Sequence, residues 1–386
     1  MKVSELNPII TALYNANTTG MFWGAPGIGK STAFRAAADV LRKQLGLTGP
    51  VLERHQVKQF IAEGGDIRTA FGLFDVRLSQ SDPVDVGGLP RENKITGAME
   101  RLPPSWFPHF ARQDLPNFGI LLLDELPSAP LSVQTTAYQI TLDGVIDEHR
   151  IKDGWAVFAA GNRVTDGGQF FKMPYALANR MCHIDVESNL DSWLDWAINK
   201  GVDHSLVAFM QFKPDLLNCY EDHAKNKKAG MAFATERMWE KVDDLLQTNQ
   251  GIDAATLQAI LGGLVGGGPA AEYMAFRSVW QKMPSTAQIF TDPMSASLPE
   301  DAATQYAVCT ALSAATTANN VQQCFQYVDR FTQMGRAELS MLYVKDMQRR
   351  ASNAARKAAE EGKPFANPVQ TPAYSQWAVK NRDLFA

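Results

Sequence analysis

The feature that most constrains this sequence is a glycine-rich octapeptide, Gly24 to Ser31, set between an apolar stretch and a helical pattern. Met21-Phe22-Trp23 before it is typical of a short buried strand, and Thr32 to Leu45, rich in Ala, Leu and Arg, is typical of a helix. The octapeptide fits G-x-x-x-x-G-K-[ST], a loop whose backbone N–H groups converge on phosphate oxygens at a helix N-terminus. Because strand, loop and helix follow in this order, the sequence predicts a phosphate-binding loop.

The side chains of the loop predict how a nucleoside triphosphate is held. Lys30 is expected to reach the β- and γ-phosphates as a point charge, and the Ser31 hydroxyl is expected to bind Mg²⁺. The residues predicted to contact the nucleotide are Gly24, Ala25, Pro26, Gly27, Ile28, Gly29, Lys30, Ser31 and Thr32.

A pair of carboxylates follows a second apolar stretch, since Ile120-Leu121-Leu122-Leu123 runs directly into Asp124 and Glu125. Asp124 is expected in the Mg²⁺ shell, and Glu125 is expected to orient or deprotonate the attacking water. Acidic residues also end strands and cap the following helix, but four preceding apolar residues favour a central strand for this pair. We therefore expect the loop and the carboxylate pair to end neighbouring strands and to hold one triphosphate.

The order of patterns along the chain predicts an α/β fold followed by helices. Further strands are predicted at Phe74–Leu78, Trp155–Ala160 and Cys182–Val186. Helical patterns separate the strands, which indicates a parallel sheet covered on both faces. From Asn189 onward only helical patterns follow. The predicted domains are residues 1–188 for the α/β core, 189–285 for an all-helical domain and 286–386 for a helical C-terminal extension.

Composition limits the partners. The formal net charge of −4 and the pI near 5.9 provide no bulk attraction to nucleic acid or membranes, although a local basic patch stays possible. No apolar stretch approaches the roughly 20 residues of a membrane span, and no signal-like segment opens the chain, so a cytoplasmic location is predicted. The cysteines match no zinc or redox spacing and are predicted to be reduced core thiols. They are Cys182, Cys219, Cys309 and Cys324.

Two further segments make a specific resemblance. The chain resembles the AAA+ ATPases of the MoxR-like branch from about residue 1 to residue 285. The two segments that carry this resemblance are Phe74 to Pro90 and Arg101-Leu102-Pro103-Pro104-Ser105-Trp106. The resemblance implies ATP and Mg²⁺ as ligands, a lid function for the helical domain, and a hairpin near residues 84–104 inserted in the second helix of the core. Asn93 to Glu100 would then face a ring pore or a partner. A surface hairpin without such a duty is the alternative.

The same resemblance implies catalytic roles for three more residues. Ala159-Ala160-Gly161-Asn162 is similar to the sensor strand, where Asn162 would hold the water in line. Arg180, after Leu177-Ala178-Asn179, resembles the arginine finger that acts on the next subunit's γ-phosphate. Arg237 resembles the second sensor of the lid. Asn179 and Glu236 stand where family members commonly have Asp and Pro.

Some assignments stay open. For Arg180 and Arg237 the alternative is a surface salt bridge, which is common and weak. Arg163, beside Asn162, has no assigned role. His149 has no second histidine at ligand spacing, so a metal site is not expected there.

The resemblance implies a ring, a hexamer, in which ATP hydrolysis drives remodelling of a partner protein, such as a von Willebrand A-domain protein. The client, the ring size and the role of residues 286–386 stay open. One alternative is a motor or restriction-type NTPase stimulated by nucleic acid, which strongly salt-dependent stimulation by DNA or RNA would reveal. Another is a nucleotide-switched scaffold that scarcely turns over. Intact Glu125 and Asn162 argue against the scaffold, and single-turnover hydrolysis would decide.

Overall fold

The computed structural model of the chain describes residues 1–163, 171–220, 232–249 and 251–384. The described chain forms two compact units, one comprising Met1–Asn189 and the other beginning at Leu190. Most candidate site residues lie in the first unit, whereas Arg237 lies in the second.

The first unit is built on a six-stranded sheet. Its described strands, with those of two hairpins, are β1 Gly20–Trp23, β2 Val51–Glu53, β3 Phe71–Arg77, β4 Leu89–Glu92, β5 Met99–Leu102, β6 Phe118–Asp124, β7 Val145–Ile146, β8 His149–Arg150, β9 Gly154–Gly161 and β10 Cys182–Asp185. The sheet order is β10-β1-β9-β6-β3-β2, and every pairing in it is parallel. The parallel α/β sheet predicted from the sequence is therefore confirmed, with β2 as an additional edge strand.

Strand β6 shows why the central strands have unbroken apolar sequences. Leu121 and Leu123 lie in one buried cluster, with Trp155 and Phe74, on one face of the sheet. Ile120 and Leu122 lie in a second cluster on the other face. Because both faces are covered, neither set of alternating side chains meets solvent, and each must be apolar.

Helices cover both faces of this sheet. They are α1 Leu6–Asn15, α2 Lys30–Gln44, α3 Val57–Ala62, α4 Pro83–Gly87, α5 Leu131–Asp143 and α6 Tyr175–Ala178. Helix α2 buries Phe34, Ala37 and Leu41 in the second cluster, which fixes the helix behind the phosphate loop.

The hairpin predicted near residues 84–104 is present, but its setting differs from the prediction. Strands β4 and β5 pair antiparallel, with Leu89 opposite Leu102, directly after the short helix α4. No helix resumes between Leu102 and the start of β6 at Phe118, so the hairpin is not inserted within a helix. Pro103 and Pro104 follow the hairpin at once, and proline both restricts the preceding residue and blocks helix propagation.

The described part of the second unit is helical. Its helices are α7 Leu190–Lys200, α8 His204–Phe212, α9 Glu236–Thr248, α10 Ala254–Val265, α11 Gly267–Trp280, α12 Thr286–Thr291, α13 Ala302–Ala315, α14 Val321–Gln333, α15 Ala337–Glu360 and α16 Pro372–Lys380. One buried cluster includes Phe209, Trp239 and Tyr273, and a second includes Phe325 and Trp377. Among the described residues, no helix combines the length and the apolar character needed to cross a bilayer.

The cysteines are all free, but only two of them belong to a core. Cys309 and Cys324 are buried, whereas Cys182 and Cys219 are half-buried. The prediction of four core thiols is therefore wrong for the latter pair. Cys182 opens β10, which lies at the edge of the sheet formed by the described strands, so one side of the strand is not covered by another of them.

Candidate functional site

The phosphate loop connects β1 to α2. Gly27 and Gly29 have φ angles of 82° and 93°, a backbone region that glycine adopts at little cost. Helix α2 begins at Lys30, so the loop ends at a helix N-terminus, where backbone N–H groups favour an anion. The ammonium of Lys30 donates to the carbonyls of Gly24 and Ala25, at 2.6 and 3.0 Å. These hydrogen bonds hold the Lys30 side chain over the phosphate loop, where it is expected to bind the phosphates.

Strand β6 delivers the carboxylate pair to the same edge of the sheet. The strand order corrects one expectation, because β9 lies between β1 and β6 and the two motifs do not end neighbouring strands. Two strand spacings separate them, roughly 10 Å. Burial raises the pKa of Asp124, and the nearby ammonium of Lys30 partly opposes that rise. The phosphate loop and the carboxylate pair therefore lie at the same edge of the sheet, with one strand between them.

Glu125 has an unusual backbone and a defined partner. Its φ angle of 58° lies in the left-handed region, which costs a non-glycine residue about 1–2 kcal/mol. Its N–H donates to Asp124 Oδ1 at 2.9 Å, and its carboxylate accepts a hydrogen bond from the hydroxyl of Ser79. Ser79 belongs to a 3-10 helix, Leu78–Gln80, that follows β3. The sequence interpretation included Ser79 in the Phe74–Pro90 resemblance but gave it no role.

Asn162 follows the last residue of β9 and therefore lies at the edge between the loop and the carboxylate pair. A Cβ atom on Gly161 would be 2.2 Å from Pro127 Cδ, so only glycine allows β9 to approach the segment after Glu125 this closely. The N–H of Gly24 donates to the carbonyl of Gly161 at 3.1 Å. Gly161, directly before Asn162, thus contacts the phosphate loop and packs against the segment that follows the carboxylate pair.

Arg163 joins β9 to β10. Its guanidinium donates to Asp185 Oδ1 at 3.1 Å and to the carbonyl of Val186 at 3.0 Å. These contacts supply the structural role that the sequence left unassigned, namely fixing the two strand ends on either side of β1.

The two remaining candidate arginines are exposed and lie in different units. Arg180 comes two residues after α6, and Arg237 is the second residue of α9. Neither guanidinium makes an ion pair or a hydrogen bond with any residue the structure describes. Glu236, at the usual proline position, is buried and accepts from Asn218 Nδ2 at 2.8 Å, which anchors the start of α9.

The hairpin formed by β4 and β5, called the insert hairpin below, is held at its base by the β7–β8 hairpin. Asp147 Oδ2 accepts from the N–H of Arg101 at 3.1 Å, and His149 Nε2 donates to the carbonyl of Arg101 at 3.0 Å. The ring of His149 also lies 4.9 Å from that of His109. The tip of the hairpin is exposed to solvent, since the side chain of Ile95 is 95% exposed. His149 therefore anchors the hairpin.

A further carboxylate, Asp75 on β3, lies near the pair at the end of β6. Partial burial and the negative charge of Asp124 raise the pKa of Asp75 from 3.8 to about 6. The folded state thus retains the Asp75 proton more readily than the unfolded chain does. Ionisation of Asp75 therefore destabilises the fold as the pH rises from about 4 to about 6, and the penalty persists above that window.

Replacing this carboxylate should stabilise the first unit. We expect Asp75→Asn to raise the melting temperature by about 1–3 °C at pH 8, because the amide removes a repulsion of the size typical of neighbouring like charges. The gain should shrink towards zero as the pH falls to about 4, where Asp75 is protonated. Thermal melts across this range test the prediction, with the exposed Glu360→Gln at the end of α15 as control. A gain independent of pH would contradict it.

Comparison with known proteins gives weak likenesses. No family model and no curated protein match the chain. A provisionally assigned ATPase from Cytophaga hutchinsonii shares 12% identity at a TM-score of 0.29, covering 68% of this chain and 80% of that chain. NtrX from Brucella abortus shares 14% identity at a TM-score of 0.35, covering 99% of this chain and 67% of that chain. The structure of NtrX from Brucella abortus in complex with ATP shares 14% sequence identity at a TM-score of 0.31, and it covers the same shares of the two chains.

At TM-scores this low the likenesses carry no argument, and the fold is identified by its own topology. The first strand of a parallel sheet leads into the phosphate loop, a later strand ends in the carboxylate pair, and β9 lies between them. The chain therefore has the α/β fold of a P-loop nucleotide-binding core, followed by helices.

Proposed function

We propose that this chain is an ATPase that binds Mg²⁺·ATP at residues 24–32 and hydrolyses it. The observation that supports the proposal most strongly is that β1 leads into the phosphate loop and β6 ends in the carboxylate pair at the same edge of the sheet, with only β9 between them. A glycine-rich loop at a helix N-terminus, a lysine and a half-buried carboxylate suit one triphosphate and one divalent cation.

Ser31 and Asp124 are the proposed magnesium ligands. One hydroxyl and one carboxylate, with positions left for phosphate oxygens and water, form the kind of oxygen donor set that Mg²⁺ prefers. The ion would neutralise charge on the transferred phosphoryl group. Lys30 would bind the β- and γ-phosphates, while the glycines let the backbone approach them.

Glu125 and Asn162 are proposed to act on the attacking water. Glu125 would accept the proton from the water, and the hydrogen bond from Ser79 would fix the orientation of this carboxylate. Asn162, at the end of the strand between the two motifs, would hold the water in line with the γ-phosphate. Arg237 of the helical lid is proposed to contact ATP as well.

We further propose that subunits assemble into a ring, a hexamer, with Arg180 acting on the ATP of the neighbouring subunit. Support comes from the exposed, unpaired guanidinium of Arg180 within the described chain. Tyr175, which lines the same surface depression as Arg180, is also exposed, by 78%. Exposed aromatic side chains near an arginine are typical of protein interfaces.

The finer proposal is a MoxR-like activity, in which hydrolysis remodels a partner protein such as a von Willebrand A-domain protein. The insert hairpin is the proposed contact, because it presents Ile95 and Met99 to solvent on an anchored base. Residues 1–188, 189–285 and 286–386 are retained as the proposed core, lid and extension.

Shortening the hairpin should separate remodelling from hydrolysis. Deleting Asn93 to Met99 removes the exposed tip but leaves Arg101, which carries the anchoring contacts. We expect ATP hydrolysis within about twofold of wild type and loss of partner remodelling, because the loop carries the recognition and the sheet carries the chemistry. Remodelling is measured on a co-purified partner, with Ile95→Ser as a milder matched variant. Unchanged remodelling by the deletion would end the hairpin proposal.

Hydrolysis itself is tested with the purified chain, ATP and Mg²⁺, in single-turnover assays. We expect turnover that chelation of Mg²⁺ abolishes and that Lys30→Ala removes together with nucleotide binding. Binding without turnover would favour a nucleotide-switched scaffold instead. Strong, salt-sensitive stimulation by DNA or RNA would favour a nucleic-acid motor.

A further inference from the structure

His183 makes hydrogen bonds through both ring nitrogens. The indole N–H of Trp23 donates to His183 Nδ1 at 2.8 Å, and the two rings stack with an angle of 12° between their planes. The other nitrogen, Nε2, lies 2.7 Å from the carbonyl oxygen of Ala178. Because an indole N–H only donates and a carbonyl only accepts, these two bonds require the tautomer with a lone pair on Nδ1 and the proton on Nε2. His183 therefore connects two specific groups in one tautomer.

The two connected groups lie next to the two halves of the proposed shared site. Trp23 is the last residue of β1 and immediately precedes Gly24 of the phosphate loop. Ala178 is the last residue of α6, two positions before Arg180. The imidazole of His183 thus links two segments of one subunit. One is β1, which leads into that subunit's own nucleotide loop, and the other carries Arg180, which is proposed to act on the next subunit's ATP.

Other contacts fix the Trp23 end of this link firmly. The N–H of Val186 donates to the carbonyl of Trp23 at 2.7 Å, and β1 pairs with both β9 and β10. The Ala178 end belongs to a helix of only four residues, α6, which is held to the core by the buried Leu177 and not by pairing within the sheet. Its carbonyl otherwise accepts a 3.4 Å bond from the N–H of Met181. Removing the imidazole should therefore loosen the Arg180 segment more than the phosphate loop.

We propose that His183 is a positioning residue that holds the Arg180 segment against β1, so that a subunit's own nucleotide loop sets the position of the arginine offered to its neighbour. The inference rests on the proposed role of Arg180 in trans. His183 contacts neither nucleotide nor water in this role. It acts only through Ala178 and Trp23.

Mixed rings test which half of the shared site depends on His183. Lys30→Ala subunits lose their own nucleotide site but still offer Arg180, and Arg180→Ala subunits keep the site but lack the arginine. Mixing the two should restore ATPase activity that neither has alone. Adding His183→Ala to the Lys30→Ala subunit should lower the restored activity by about ten- to hundredfold, because small displacements of a catalytic group are costly.

The matched control places His183→Ala in the Arg180→Ala subunit, where the restored activity should stay within about threefold. Equal losses from both placements, or no loss from either, would overturn the positioning role. Failure of the parent mixture to regain activity would instead show that Arg180 does not act in trans, and the two failures are thereby distinguished.

A second variant guards against a simple folding defect. Trp23→Phe keeps an aromatic ring on β1 but removes the N–H donor, so it should reproduce the loss only in the subunit that offers Arg180. Combining Trp23→Phe with His183→Ala should cause no further loss, since both changes break one connection. Additive losses, or a shifted melting temperature that accounts for the activity, would overturn the proposal.

Discussion

Glu125→Gln is expected to abolish ATP turnover while leaving nucleotide binding close to wild type. The amide cannot accept the proton of the attacking water, and loss of a general base typically costs about 10²–10⁴ in rate. Glutamine preserves the size of the side chain and a carbonyl oxygen that can still accept the hydrogen bond from Ser79. The change therefore removes the base without removing its support.

Two assays on the same preparation check this expectation, equilibrium binding of a fluorescent ATP analogue and steady-state phosphate release. Glu148→Gln is the matched control, because Glu148 is an exposed carboxylate in the turn between β7 and β8. The control should retain full turnover. If Glu125→Gln kept more than about a tenth of the wild-type rate, another group would have to be the base.

Arg180→Ala should have the second large effect, a loss of turnover of about 10³–10⁵ with ATP binding retained. Without a cation from the neighbouring subunit, charge developing on the γ-phosphoryl group is poorly stabilised. For the same reason, wild-type activity per subunit should rise with protein concentration as rings form. Arg180→Lys should restore only part of the rate, because an ammonium lacks the planar donor fork of a guanidinium.

The control for this variant is Arg54→Ala, an exposed arginine in the same unit. Its ATPase activity and its assembly, followed by analytical ultracentrifugation, should match wild type. Turnover that survived in Arg180→Ala would show that a different arginine supplies the charge. Activity per subunit that stayed flat across the assembly range would argue against a shared site.

The elements that sequence predicted well are those with local signals. The phosphate loop matches a fixed sequence pattern, and the residues directly before and after it show the patterns of a strand and a helix. The unbroken apolar run before Asp124 reflects burial on both faces of β6. By contrast, β2 has only three residues, Val51–Glu53, too few to show a period, and was missed.

What the sequence could not predict depends on non-local packing. The position of β9 between β1 and β6 is a matter of strand order, which spacing along the chain does not encode. Ser79 is 46 residues from Glu125, and His183 is 160 residues from Trp23, so neither hydrogen bond has a local signature. The left-handed backbone of Glu125 likewise comes from tertiary context, because nothing in its residue type favours that conformation.

The most direct measurement is an experimental structure of the chain with Mg²⁺ and a non-hydrolysable ATP analogue. We expect the β- and γ-phosphates to lie against the N–H groups of Gly27 to Lys30, with Asp124 at the metal and Glu125 facing the γ-phosphate. A nucleotide bound away from this loop, or a γ-phosphate out of reach of both carboxylates, would contradict the proposed ATPase site.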